Sequence, residues 1–307
     1  MAPTSEDWTR REWLRRTAAG TVAAAVGSMR PASAAGPRVL GVQLYTVRDQ
    51  MKPEQAAATL KAIADIGYKE VEVLHPGAAE TTRLAKQVGL APVSMHIEAP
   101  LVTGDWSAWA PPGTKPTGTL EQLIDEAKPL GYKYLVVSYL MQGERSKPGF
   151  FPAFAEAMNK AGEKVNKAGM QLCYHNHGFE FETGADGKRP LDLLFATFDK
   201  ALVKFELDVF WVSVTGADPV ALINEHAGRV ALVHLKDKAK DAPKETNEAK
   251  VAPTTFKEAG NGSLDFAAIL KAATAAGVEH FFVEQDHTPG DPIASLKQSY
   301  TYLQSLA

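Results

Sequence analysis

Gly169-Met170-Gln171-Leu172-Cys173-Tyr174-His175-Asn176-His177 decides the fold. A glycine ends a helical pattern, a short apolar run follows at once, and a polar cluster appears where the run stops. Glycine suits the first position because it adopts the left-handed backbone that closes a helix. The same order returns after Gly67, Gly89, Gly131, Gly228 and Gly277, so the repeated unit is helix, glycine, strand.

Eight β-rich runs lie at Val39 to Tyr45, Glu70 to Leu74, Pro92 to Ile97, Tyr134 to Tyr139, Met170 to His175, Val203 to Val209, Arg229 to His234 and Phe281 to Glu284. Between them, Pro53 opens a helix over Glu54 to Ile66, Asp218-Pro219 supplies an N-cap and a first-turn proline, and Leu264 to Ala276 is apolar at helical spacing. Eight alternating units predict α/β architecture as a single (β/α)8 TIM barrel over residues 35–307. An open doubly wound sheet would place a glycine-rich phosphate turn after strand one, where this chain has Thr46-Val47-Arg48-Asp49.

Residues 1–34 read differently. Arg10-Arg11 precede a small apolar stretch from Thr17 to Met29 and then Ala32-Ser33-Ala34. This is the pattern of a twin-arginine signal peptide cleaved after Ala34, with the twin-arginine translocase as partner during export and a periplasmic destination. The apolar stretch is too short to span a bilayer, and nothing later in the chain is long enough to do so. Without the leader, 28 basic residues face 33 acidic ones, a net charge of -5, which argues against a nucleic-acid partner. Cys173 is the only cysteine, so no intramolecular disulfide forms and a cysteine-rich metal site is excluded; inside an apolar run it reads as buried filler.

Polar clusters end four successive runs: Tyr174-His175-Asn176-His177, Glu206-Leu207-Asp208, His234-Leu235-Lys236-Asp237 and Glu284-Gln285-Asp286. In a barrel these strand ends share one mouth. Alternation puts His175 with His177, Glu206 with Asp208, and Glu284 with Asp286 on common faces. His175, Asp208, His234 and Glu284 then make a nitrogen and oxygen set suited to a divalent metal ion, Mn²⁺, Mg²⁺, Co²⁺ or Zn²⁺. Each residue alone is more often a hydrogen-bonded structural group; recurrence on four consecutive strands carries the metal reading. His177 or Glu180 is an alternative strand-five ligand, and Glu180 is either a base reaching in from its loop or a solvated carboxylate. Lys236 either polarises a carbonyl or pairs with Asp237.

These residues carry a resemblance. Gly41-Val42-Gln43-Leu44-Tyr45-Thr46-Val47-Arg48-Asp49, Tyr174-His175-Asn176-His177-Gly178-Phe179-Glu180-Phe181, Leu207-Asp208-Val209-Phe210-Trp211, His234-Leu235-Lys236-Asp237, Gly260-Asn261-Gly262-Ser263-Leu264-Asp265 and Val283-Glu284-Gln285-Asp286 resemble the sugar phosphate isomerase/epimerase family, the xylose isomerase-like TIM barrels, across residues 38–305. The resemblance implies metal ligands at Asp208, His234 and Glu284, with His175 where the family carries a strand-five glutamate. It also implies proton transfer beside a carbonyl, with Glu284 as one base and His175, His177 or Glu180 serving the opposite face.

The expected function is a metal-dependent isomerase or epimerase on an unphosphorylated sugar or keto-sugar, since sugar phosphates are scarce outside the cytoplasm. The runner-up is a metal-dependent lyase or hydratase on 3-keto-glycosides or keto-sugars, since one base with Lys236 or a histidine as acid also supports β-elimination. A non-catalytic periplasmic carbohydrate-binding barrel is the reading from another class. Trp106, Trp109 and Trp211 fall after strands three and six, where indole faces stack on sugar rings; the first two alternatively anchor the loop Pro100 to Thr119. Glu72 and His96 are candidate hydroxyl contacts. The charged segment Lys238 to Glu258 is a solvated loop or a lid.

Overall fold

Alternation along β5 (Gln171–His175) sends Leu172 and Tyr174 outward to the helices, while Cys173 and His175 face the barrel axis. The computed structural model describes residues 39–109, 118–184 and 187–306, and the expected signal peptide at 1–34 lies outside them. The other barrel strands are β1 (Gly41–Gln43), β2 (Glu70–Leu74), β3 (Ala91–Ile97), β4 (Tyr134–Val137), β6 (Val203–Asp208), β7 (Val230–Leu235) and β8 (His280–Val283). All eight are parallel, each beside its sequence neighbour, and β8 closes on β1 with Gly41 opposite Phe282. The chain forms the closed eight-stranded barrel that the repeat predicts.

The two faces of the strands bury separate cores. Outward residues such as Val71, Val73, Leu135, Phe205 and Val233 join the helices in one large apolar cluster. Inward, Val93, Val136, Cys173, Leu232 and Phe282 plug the barrel below its mouth. Gly41 faces this plug, and a Cβ there would run into the Phe282 ring, so the close strand approach leaves no room for a side chain. Cys173 is a buried, free thiol in the same plug.

All six helix-ending glycines have left-handed backbone, with φ from 78° to 125°. The first helix runs from Ala56 to Ile66, starting after the turn at Pro53. Asp218 caps Pro219–Glu225 by accepting the Val220 N–H at 2.8 Å. The helix expected over Leu264 to Ala276 occupies Phe266–Ala275, capped by Asp265. Among the described residues no helix is long and apolar enough to cross a membrane.

The charged segment after β7 is structured. Asp237–Lys238 pairs antiparallel with Phe256–Lys257, and short 3-10 turns cover Glu248–Lys250 and Pro253–Thr255. The Asp237 carboxylate accepts the backbone N–H groups of Gly260, Gly262, Ser263 and Leu264 at 2.9 to 3.1 Å. That carboxylate is thereby committed to holding a loop, which removes it as a partner for Lys236.

Candidate active site

Asp208 shows how local sequence aims a side chain. It ends β6 and immediately caps the short helix Val209–Val214, its Oδ1 accepting the N–H groups of Phe210 and Trp211 at 2.9 and 3.1 Å. Its other oxygen, Oδ2, is buried and lies 2.9 Å from the Lys236 ammonium. That oxygen faces His175 Nε2 and His234 Nδ1, each 3.8 Å away. A buried carboxylate oxygen that meets an ammonium and faces two ring nitrogens is a place built for positive charge, and with those nitrogens it offers a cation a mixed nitrogen and oxygen donor set.

Donor atoms of His175, Asp208, His234 and Glu284 all lie within 4.8 Å of one another. The arrangement follows from register: Asp208 pairs across to His234, and Glu284 begins where β8 ends. Two carboxylates and two imidazoles are a mixed set that a first-row divalent ion accepts, and two negative charges balance it.

Lys236, two residues beyond His234, faces the same way. Its Nζ is 2.6 Å from Glu284 Oε2, 2.9 Å from Asp208 Oδ2 and 2.7 Å from Asp286 Oδ1, to which it donates. Burial disfavours the ammonium, but the three carboxylates, Asp208 foremost, outweigh it and raise the Lys236 pKa well above its usual value. Burial likewise pushes Glu284 upward; Lys236 and His234 overcome it and hold this carboxyl far below the ordinary range. Asp208 is raised to about 6, because burial outweighs the pull of Lys236. Burial also lowers His177 well below its usual value, with Lys236 adding to the effect. At neutral pH the floor therefore carries an ionised Glu284, a charged Lys236 and a neutral His177.

These groups open into a cavity of about 460 Å³ at the strand C-terminal ends. His96, His175, His177, Trp109, Trp211, Lys236 and Glu284 all line it. Trp109 is oriented by donating its indole N–H to both Glu144 oxygens at 3.2 Å. The indole N–H of Trp211, His177 Nδ1 and Glu248 Oε2 are buried there without partners. Glu248 comes from the segment after β7 and is held by Arg145 at 2.6 Å and by the Tyr139 hydroxyl at 2.5 Å, so that segment covers the mouth as a lid.

Three candidates lie elsewhere. Glu72 is fully buried on the barrel axis, bonded to Gln43, Ser94 and His234, and does not reach the cavity. Glu180 is also fully buried, accepting the Tyr174 hydroxyl at 2.5 Å and the His177 backbone N–H at 2.9 Å. Its position is behind His177 rather than on the cavity wall. Trp106 lines a separate groove with Pro100 and Lys164.

Residues given no role in the sequence reading complete the site. Glu206 lies inside the barrel, 3.0 Å from His175 Nδ1 and 2.7 Å from His96 Nε2. Alternation puts it on the face of Asp208, and its depth below the mouth is what the strand period does not reveal. Glu248 and Arg145 had no such signal, since a charged loop gives no period from which to read direction.

Residues 60–306 match the family model described as xylose isomerase-like TIM barrel. An inosose dehydratase of Clostridium beijerinckii is 27% identical over 197 residues, taking in 57% of this chain and 65% of that protein. A sugar phosphate isomerase/epimerase from Parabacteroides distasonis superposes with a TM-score of 0.69 at 21% identity, over 89% of this chain and 96% of that one. The IolI protein, crystallised with a zinc atom, superposes with a TM-score of 0.60 at 14% identity, over 87% of this chain and 98% of that one.

Proposed function

Because this chain belongs to the xylose isomerase-like TIM barrel family, we propose that it is a metal-dependent lyase that removes water from a cyclic keto-polyol by β-elimination. The observation that carries the choice is the contact between Lys236 Nζ and Glu284 Oε2 at 2.6 Å. An acid and a base side by side serve proton removal and leaving-group protonation on one face, the arrangement of a syn elimination. Epimerisation instead needs proton exchange on opposite faces.

His175, Asp208, His234 and Glu284 would hold the cation, which supplies a Lewis acid toward a substrate carbonyl oxygen. Glu284, kept ionised by Lys236, takes the proton from the carbon beside that carbonyl. The electron pair of the broken C–H bond forms the carbon–carbon double bond as the neighbouring C–O bond breaks, and Lys236 gives the departing hydroxyl its proton. Asp286 at 2.7 Å holds the lysine in place. Trp211, His177 and Glu248 offer unpartnered polar atoms to the remaining hydroxyls, and among the described residues lining the cavity the one lysine, Lys236, is already paired with carboxylates. An inosose is the first substrate to try, from the name of the Clostridium relative.

A second reading rests on His177. This neutral imidazole lines the same cavity with a free Nδ1 and would supply the other base for an isomerase or epimerase. Incubation of inososes and keto-sugars in D₂O separates the two. Loss of 18 mass units with a new conjugated-carbonyl absorbance supports the lyase, whereas deuterium gained at one carbon without loss of water rejects it. In this proposal the twin-arginine leader carries the enzyme to the periplasm.

A further inference from the structure

Beneath the cation cluster lies a second storey of buried polar groups that no step of the proposed reaction uses. Glu72 and Glu206 are both fully buried on the barrel axis. His175 turns Nε2 toward Asp208 and places Nδ1 3.0 Å from Glu206 Oε2. His234 does the reverse: Nδ1 faces Asp208 and Glu284, while Nε2 lies 2.7 Å from Glu72 Oε2. Each ring thus spans the two storeys, by opposite nitrogens.

We propose that Glu206 and Glu72 are positioning residues that fix the two histidines as opposite tautomers, His175 protonated on Nδ1 and His234 on Nε2. A neutral imidazole has one donor and one acceptor nitrogen, and the hydrogen bond made by one decides which nitrogen is free. A carboxylate beneath each ring therefore accepts the N–H of the lower nitrogen, keeps the proton there, and leaves the upper nitrogen with a lone pair for the cation, as metal-bound histidines generally require. The inference rests on the cation reading of the cluster.

The carboxylates are themselves held. Gln43 Nε2 donates to Glu72 Oε2 at 2.9 Å and the Ser94 hydroxyl to Glu72 Oε1. His96 Nε2 lies between the two, 2.7 Å from Glu206 and 2.9 Å from Glu72, and its ring stacks on His234 with 14° between planes. Glu206 Oε1 is left without a hydrogen-bond partner. Keeping a carboxylate there at that cost argues for a task at its other oxygen. Neither glutamate lines the cavity, so the task is not substrate contact.

The test titrates Zn²⁺ alone into the full-length protein and its Glu206→Gln, Glu72→Gln and Glu258→Gln variants. Glu258 is a buried carboxylate bonded to Ser295 and Asn261, outside the network. Zinc affinity is expected to fall about 10- to 100-fold in the first two and to stay unchanged in the third. The ¹⁵N imidazole spectrum of zinc-loaded wild-type protein should show one coordinating ring with Nδ1–H and one with Nε2–H, which decides the matter even if the variants do not fold. Unchanged zinc affinity in both network variants overturns the inference. So does zinc bound through His175 Nδ1 and His234 Nε2, which would put the ion in the lower storey among His96, His175, Glu206 and His234. Wild-type protein that takes up no Zn²⁺, Mn²⁺ or Co²⁺ refutes the cation reading itself, and this inference with it.

Discussion

Lys236 Nζ stands 2.6 Å from Glu284 Oε2, so a cation and the base it stabilises meet at the cavity floor. Replacing Lys236 with methionine removes both the acid and the charge that keeps Glu284 ionised. The expected result is a fall in kcat of about 10²- to 10⁴-fold. The acidic limb of the pH–rate profile should also move to higher pH, as Glu284 loses its largest opposing charge. A stopped reaction assay across pH 4 to 9 checks both; an acidic limb that stays put refutes the pairing.

Glu248 presents a bare, buried oxygen to the cavity and is held by Arg145. Glu248→Ala should raise KM about tenfold, the loss of roughly one charge-assisted hydrogen bond, with kcat changed far less. Equal losses in kcat and kcat/KM would instead place Glu248 in the chemistry.

Glu180 is pushed up to about 7 from 4.5 by burial, against the pull of the Tyr174 hydroxyl. A carboxyl whose folded pKa lies above its unfolded value contributes stability below about pH 4.5 and loses it as pH rises through 7. Glu180→Gln is neutral at every pH; its carbonyl oxygen can accept the His177 N–H while its amide N–H donates to the Tyr174 hydroxyl, as a protonated carboxyl would, so it should match wild type near pH 4. It should exceed wild type by about 3 kcal/mol at pH 8. Thermal melts at the two pH values decide it; no pH-dependent difference refutes it.

Gly41→Ala pushes a methyl group into the Phe282 ring where β1 meets β8. Overpacking at such a seam costs about 1–3 kcal/mol. Chemical denaturation of the variant measures it, and Gly41→Ala with Phe282→Leu should recover most of the loss.

Export gives the remaining test. Changing Arg10 and Arg11 together to lysine should leave the precursor in the cytoplasm, whereas the untouched protein should appear in the periplasm with Ala35 as its first residue. Amino-terminal sequencing of fractionated cells reads both outcomes.

Much of this architecture could be read in advance, for definable reasons. Closing glycines and apolar runs are local signals, and Gly67 through Gly277 took the backbone their positions implied. His175, Asp208, His234 and Glu284 could be brought together because strand ends in a barrel converge and alternation assigns their faces. Alternation gives direction but not depth. Glu72 and Glu180 therefore read as site residues although one lies a layer below the cavity and the other behind it. Trp106 and Trp109 sit three residues apart in one loop, yet only Trp109 turns to the cavity; loop direction depends on tertiary partners such as Glu144. Lys236 shows the converse: its neighbour Asp237 drew attention as a partner, but a strand sends adjacent side chains apart.

Asp208 divides its two oxygens between a helix start and the cluster. The helix it caps carries Trp211 in the cavity wall. A tug on one oxygen is a tug on the first turn of that helix, so an ion settling at the cluster and an indole settling on a ligand act on the same lever. Occupancy of either should be felt at the other, with tryptophan fluorescence as a natural reporter of what happens at the barrel axis.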